Sequence, residues 1–315
     1  MHGLIVPIFT ILVLWLSAGH SAAQWREEIS AFRVGLADKS SAAERVEPFR
    51  LALEQKLEVP VEIFTSRDFP SLIDSMIQQR IDYAVLSATA YAALWNLCQC
   101  VEPLAVAESG NGASAFRTTI FSRRGGPQSL DDLRGNKLAI VETDTIGGDL
   151  LALDELERAG LLAGDDKIEI VGFKTGREAL DALDAGTVAG YLGWIAELNG
   201  GEDTGTLREL AARHGDASGY SMVWRSSQIP YRVHAVRSAL PGELKEIVRQ
   251  ALLSMFEDSP VAYDAIEPHL GGGFAPVEQS QFAAISDALA RKGIRAPTAG
   301  RRDAEEVESD DPNAN

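Results

Sequence analysis

Cysteine is rare in this chain, and its two copies stand one residue apart, as Cys98-Gln99-Cys100. That spacing admits three chemistries. The pair can be small apolar residues in a partly buried wall. The two can bond to one another, closing a tight ring through a single intervening residue. They can also act as thiolates on a soft, thiophilic species such as a metalloid. His214, His234 and His269 form no metal-ligand spacing with either cysteine. A thiol oxidoreductase would place Cys-x-x-Cys at a helix start, which this chain does not do. It has no Ser-His-Asp order, no Gly-x-Ser-x-Gly elbow and no Walker loop, and Asp131-Asp132 reads as the surface of a short helix. The expectation is a binding protein rather than an enzyme, with no cofactor.

The second kind of chemistry belongs to the backbone. Residues 32–36, 83–86, 138–141 and 168–173 are short β-branched and apolar runs. Each is followed by a few small or polar residues and then a helix-like stretch. Such a junction aims free N–H groups and a positive dipole end at one point, which suits a small anion or polar solute. Several junctions facing one cleft would trap a solute.

These junctions sit within a regular alternation. Strands are expected over 32–36, 59–64, 81–86 and 100–107, with helices over 43–57, 69–79 and 88–97 between them. This βαβαβ order implies a parallel sheet flanked by helices. A second cycle follows the Gly-rich break at 109–112, with strands over 116–122, 137–141, 168–173 and 188–192 and helices over 148–159 and 178–185. Strands over 221–225 and 233–236 and helices over 241–256 and 279–292 complete the chain. The fold class is therefore α/β, with two lobes of mixed, mostly parallel sheet joined by two strands. The first lobe is expected over 24–112 and 215–295, and the second over 113–214. The crossings are placed near 108–118 and 207–222, where they would serve as a hinge for closure on a ligand.

Composition agrees with an exported globular protein. The 315 residues are 45% hydrophobic and 24% charged, with a formal net charge of −17. That acidity argues against nucleic acid and anionic membrane surfaces as partners. Residues 296–315 form an acidic tail with little to bury, expected to be disordered. Residues 4–18 are apolar, too short to span a bilayer comfortably, and lead to Ser21-Ala22-Ala23. Residues 1–23 are read as a signal peptide cut after Ala23, leaving no direct membrane anchor and a periplasmic protein.

The ordered motifs carry a resemblance. Phe32-Arg33-Val34-Gly35-Leu36, Val59-Pro60-Val61-Glu62-Ile63-Phe64, Ile81-Asp82-Tyr83-Ala84-Val85-Leu86 and Pro103-Leu104-Ala105-Val106-Ala107 are followed by Leu130-Asp131-Asp132-Leu133-Arg134-Gly135. Across most of residues 31–292 the chain resembles the periplasmic solute-binding proteins of phosphate, phosphite and phosphonate importers, with the type II periplasmic-binding fold. The resemblance implies a small inorganic or phosphonate-like ligand, cleft closure and an ABC permease as partner. It places ligand contacts at Ser87 and Thr89, at Tyr91, at Thr145, Gly147 and Gly148 in the second lobe, and at Arg177, whose guanidinium could hold an oxyanion in bidentate fashion. In the family the segment at 143–148 usually carries a Ser-Thr-Ser-Gly run; here Ile146 removes a donor and Asp144 adds a charge. A narrower resemblance, to periplasmic arsenite-binding proteins that report to a sensor kinase, implies arsenite held by Cys98 or Cys100. Signalling through arsenite is the leading expectation on this reading, and uptake of phosphate, phosphite or phosphonate the alternative.

Overall fold

The structure is a computed structural model that describes residues 24–37, 42–142, 149–196 and 205–295. Expectations for 1–23, for 296–315 and for Thr145, Gly147 and Gly148 lie outside the described residues. Among the described residues, no helix is long and apolar enough to cross a membrane.

The chain begins with α1 (Gln24–Glu28), β1 (Phe32–Ala37), α2 (Ala42–Arg45), α3 (Glu47–Leu57), β2 (Val61–Ser66), α4 (Phe69–Ile77), β3 (Tyr83–Leu86), α5 (Ala88–Cys98) and β4 (Val101–Ala107). The single helix expected over 43–57 is two. Pro48 sits in the first turn of α3, where its missing N–H costs nothing, and Val46 has left helical geometry. Beyond that break Phe49, Leu53 and Leu57 recur at helical spacing and are buried.

The second lobe holds β5 (Ala115–Arg123), β6 (Lys137–Val141), α6 (Leu150–Arg158), β7 (Glu169–Phe173), α7 (Gly176–Asp184), β8 (Gly190–Ala196), α8 (Thr206–His214), β9 (Tyr220–Arg225) and β10 (Ile229–Pro230). The chain then returns through β11 (Val233–Arg237), α9 (Gly242–Asp258), α10 (Pro260–Ile266), β12 (Phe274–Pro276) and α11 (Ala283–Arg291).

Among the described residues, the strands form two six-stranded sheets. The first runs β12-β4-β11-β3-β1-β2; the second runs β10-β5-β8-β6-β7, with β9 also paired to β5. This is the mixed α/β, two-lobed architecture expected. β1, β2 and β3 are parallel, as are β6, β7 and β8, so each lobe gathers the C-terminal ends of its parallel strands at one edge.

The return crossing differs from the expectation. β9, expected in the first lobe, pairs antiparallel with β5 in the second sheet from Thr119↔Arg225 to Arg123↔Tyr220. The second lobe therefore extends past residue 214, and the chain crosses back at 226–232. The two crossings bind each other: the N–H of Ser226 donates to the Thr118 carbonyl at 2.9 Å and that of Tyr231 to the Ser114 carbonyl at 3.0 Å. The stretch read as a crossing also contains α8, which lies against β8.

The first lobe is held by polar groups engaged with one another. Asp82, 2% exposed, takes Arg33 in a two-pronged pair at 2.8 and 2.9 Å and Arg237 at 2.6 Å. Burial alone would raise its carboxyl; the two guanidiniums outweigh that and hold it below the usual carboxylate range. Nearby, Tyr83 hydrogen-bonds His234 Nδ1, whose Nε2 meets Glu267 at 2.9 Å, with Arg232 closing the chain at 3.2 Å. Burial lowers the His234 pKa against the opposing pull of Glu267.

The lobes also meet away from the crossings. Arg291 on α11 holds buried Asp154 on α6 by two bonds, at 3.0 and 2.7 Å, and Lys292 reaches Glu157 at 3.2 Å. Leu150 and Leu151, at the start of α6, are buried in the apolar cluster that α4, α5 and α11 build on the first sheet.

Candidate functional site

A cavity of about 440 Å³ opens at the C-terminal edge of the second sheet. Its floor is strand: Val141 ends β6, and Tyr191 through Trp194 belong to β8. Phe116 and Thr118 come from β5 beside the first crossing, and Tyr231 from the second crossing. Asp149 and Gly176 stand at the starts of α6 and α7, and Thr206 and Glu209 come from α8.

Local chemistry fixes these positions. Thr175 caps α7, its hydroxyl accepting the Glu178 N–H at 3.2 Å. Gly176 then faces the Tyr191 hydroxyl, 3.2 Å from where a Cβ would stand. The Trp194 N–H donates to the Thr206 hydroxyl at 3.0 Å, which ties β8 to α8. That closeness needs Gly193, since a Cβ there would lie 2.3 Å from the same oxygen. Burial, with Glu209 adding to it, pushes the Tyr191 phenol up to about 12.

Three rings share one side of the cavity. Phe116 stacks on Tyr231 with centroids 5.5 Å apart, and Trp194 meets Phe116 edge-on at 6.2 Å. Trp194 remains 44% exposed, a large apolar surface open to solvent at the mouth. Two polar groups here are not engaged. The Thr118 hydroxyl is buried without a hydrogen-bond partner, which normally costs stability. Asp149 is half-buried, makes no capping bond to α6 and is paired with no other described residue; burial raises its carboxyl. Glu209 has Arg213 at 3.7 Å. Among the described residues lining the cavity there is no lysine, arginine or histidine.

The family described as ABC transporter, phosphonate, periplasmic substrate-binding protein matches residues 36–282. The chain belongs to this family. Its members are binding components rather than enzymes, which agrees with the absence of catalytic motifs in the sequence. Solved structures agree on the fold. A Xanthomonas citri protein, XAC2383, bound to ATP, is 20% identical with a TM-score of 0.60, over 84% of this chain and 98% of that one. PhnD1 from Prochlorococcus marinus, in complex with methylphosphonate, is 12% identical with a TM-score of 0.54, over 84% and 99%. A TctC solute-binding protein from Polaromonas is 14% identical with a TM-score of 0.53, over 84% and 97%.

In this phosphonate-type binding protein, the residues expected from sequence to touch ligand are scattered. Ser87 caps α5, its hydroxyl accepting the Ala90 N–H at 3.1 Å. Thr89 is buried in the first lobe with its hydroxyl unpartnered. Tyr91 is fully buried, tilted against Phe282 with ring centroids 4.5 Å apart and hydrogen-bonded to Gln279, so its phenol is engaged inside the core. Arg177 is exposed on α7 and does not line the cavity.

Cys98 and Cys100 are bonded to one another. They lie at the wrong end of the sheet for a cleft ligand. Ser87 follows β3 at its C-terminal edge, whereas Val101 begins β4 opposite Arg237, which lies beyond the Val236↔Tyr83 pair at the start of β3. The whole of α5, about 15 Å at 1.5 Å per residue, separates the two ends. A soft-ligand site at the cysteines therefore shares no wall with the cavity.

Thr118, Asp149, Trp194 and Tyr231 were not singled out from sequence. The one visible signal was Arg117-Thr118-Thr119, three polar residues inside a strand whose remainder is largely apolar.

Proposed function

We propose that this protein is the periplasmic binding subunit of an ABC importer for a phosphate-, phosphite- or phosphonate-type ligand, captured between its lobes. The observation that supports this most is the placement of the cavity. It lies beside both crossings, so a ligand there touches the elements that bend when the lobes move. A ligand that contacts both lobes favours the closed arrangement by its differential affinity. The α6–α11 contacts through Arg291 and Lys292 would add to that arrangement.

In this reading Thr145, Gly147 and Gly148 supply donors to the ligand's oxyanion. They belong to the connection between Val141 and Asp149, and both of those residues line the cavity. Residues 1–23 direct export and are removed. The disulfide-bonded cysteines take no part, which separates this reading from thiol-held arsenite. Calorimetric titration of the purified protein with methylphosphonate, phosphite, phosphate and arsenite tests it. Saturable binding of one of the phosphorus compounds is expected. Binding of arsenite alone, lost when the thiols are blocked after reduction, would overturn it.

A further inference from the structure

We infer that the bond between Cys98 and Cys100 is a thiol–disulfide exchange site, reduced reversibly by a dithiol of the exported compartment while the protein stays folded. The inference is independent of the ligand reading, since the length of α5 separates the pair from the cavity.

The bond is a poor staple. The stabilisation that a disulfide gives grows with the loop it closes, and here one residue lies between the two cysteines. The chain on either side is already held. Asn96, in the last turn of α5, donates to the Ser286 carbonyl at 2.7 Å and to that of Ile294 at 3.1 Å, which ties the turn to α11 and the segment after it. The Gln99 N–H closes the helix on the Trp95 carbonyl at 2.8 Å, with Gln99 in the left-handed region at φ 50°. The Cys100 carbonyl accepts the Ser238 N–H at 2.8 Å, and Val101 enters β4 opposite Arg237. Cutting the bond therefore frees little chain.

Coupling between two equilibria is reciprocal. A bond that adds little to the stability of the fold is one to which the fold adds little. Its resistance to reduction is then close to that of a bare Cys-x-Cys segment, where closing a ring through one residue is costly. The site is also open to attack: Gln99 is exposed and both cysteines are only half-buried.

The exchange balances as follows. A thiolate of the dithiol bonds to Cys100 Sγ, the S–S bond breaks, and its electron pair leaves on Cys98 Sγ. That sulfur accepts the Cys100 N–H at 3.2 Å, a donor that favours the developing charge. Cys98 ends α5, and the negative end of the helix favours uptake of a proton there, giving the thiol. The second thiol of the reductant then attacks its own sulfur in the mixed disulfide. Cys100 is released, takes up the second proton, and the reductant departs as a disulfide. Two electrons and two protons have passed to the protein.

The test treats the purified protein with dithiothreitol and counts alkylated thiols by mass spectrometry. The reduction rate is expected to rise in proportion to the dithiol concentration, without a plateau. The equilibrium against reduced and oxidised dithiothreitol should lie at least about tenfold toward the reduced protein. The reduced protein should melt within about 4 °C of the oxidised one. The double variant Cys98→Ser, Cys100→Ser should melt with the reduced protein, which separates loss of the bond from incomplete reduction. A rate that levels off at the rate of unfolding would overturn the inference, because the fold would then be protecting the bond. An equilibrium on the oxidised side, or a larger fall in melting temperature, would overturn it equally and make the bond a staple.

Discussion

The two lobes share a fold plan and differ in what their polar groups do. In the first, the side chains that looked suited to a ligand are engaged with the protein itself. Ser87 caps a helix, Tyr91 reaches Gln279, and Cys98 is bonded to Cys100. Asp82 and His234 sit in closed networks of charge and hydrogen bonds. In the second, the buried Thr118 hydroxyl and the half-buried Asp149 carboxylate have no partner among the described residues. A polar group satisfied within the fold contributes to stability, and a ligand gains little by competing for it. A group left unsatisfied is destabilising until something else satisfies it. The exception in the first lobe is Thr89, whose hydroxyl is also buried and unpartnered.

The largest effect that sharpens this contrast belongs to Asp82. Replacing it by alanine leaves Arg33 and Arg237 facing each other at the edge of β1, β3 and β11 without the buried carboxylate they share. Removing one partner of a buried ionic cluster costs about 3 kcal/mol or more. Asp82→Ala should therefore lower the urea midpoint strongly, while the variant that stays folded binds ligand as the parent does. Denaturant unfolding and titration on the same preparation would show both. A loss of affinity out of proportion to the loss of folded protein would mean that the first-lobe network reaches the cleft.

Much of this plan is legible in the residues. The alternation of apolar runs with helix-period stretches is a local signal, and it places β1, β3, β6, α5 and α9 within a few positions of where they stand. The return crossing is not local. Tyr220–Arg225 has the character of a strand in either sheet, and only its pairing with β5 assigns it. The cysteines show the same limit. Their spacing is plain, but which edge of the sheet they occupy follows from the register of β4 on β11, which no short segment encodes. Thr118 is an ordinary strand residue by propensity, and Asp149 is an ordinary choice for a helix start. What marks them is the absence of a partner, a property of the folded surroundings and not of the residue. The family resemblance reached further, because it carries topology along with motif.

A smaller effect is expected where the lobes touch. Arg291 binds Asp154 across the gap between α11 and α6, and that pair holds the Asp154 carboxyl below its usual range. Arg291 itself is half exposed, so solvent screens part of the interaction. Arg291→Ala should leave the cavity intact and shift the population toward open lobes. Apparent affinity then falls a few-fold, since it scales with the fraction of competent protein. Small-angle scattering of the ligand-free protein should report a larger radius for the variant. An unchanged radius with unchanged affinity would mean that α6 and α11 are a fixed joint.

The smallest change is also the one most able to break the comparison. Tyr91→Phe removes only a hydroxyl, the group that hydrogen-bonds Gln279 beside Phe282. If that oxygen is engaged inside the first lobe, the variant loses about 1 kcal/mol of stability, the worth of one buried hydrogen bond. Its affinity for every ligand tested should match the parent's, because the phenol lies in the core and not on the cavity. The family likeness points the other way, toward a tyrosine on the ligand. An affinity loss of tenfold or more at unchanged melting temperature would favour that view. It would mean that ligand binding draws Tyr91 away from Gln279, and that the first lobe's polar groups are available after all.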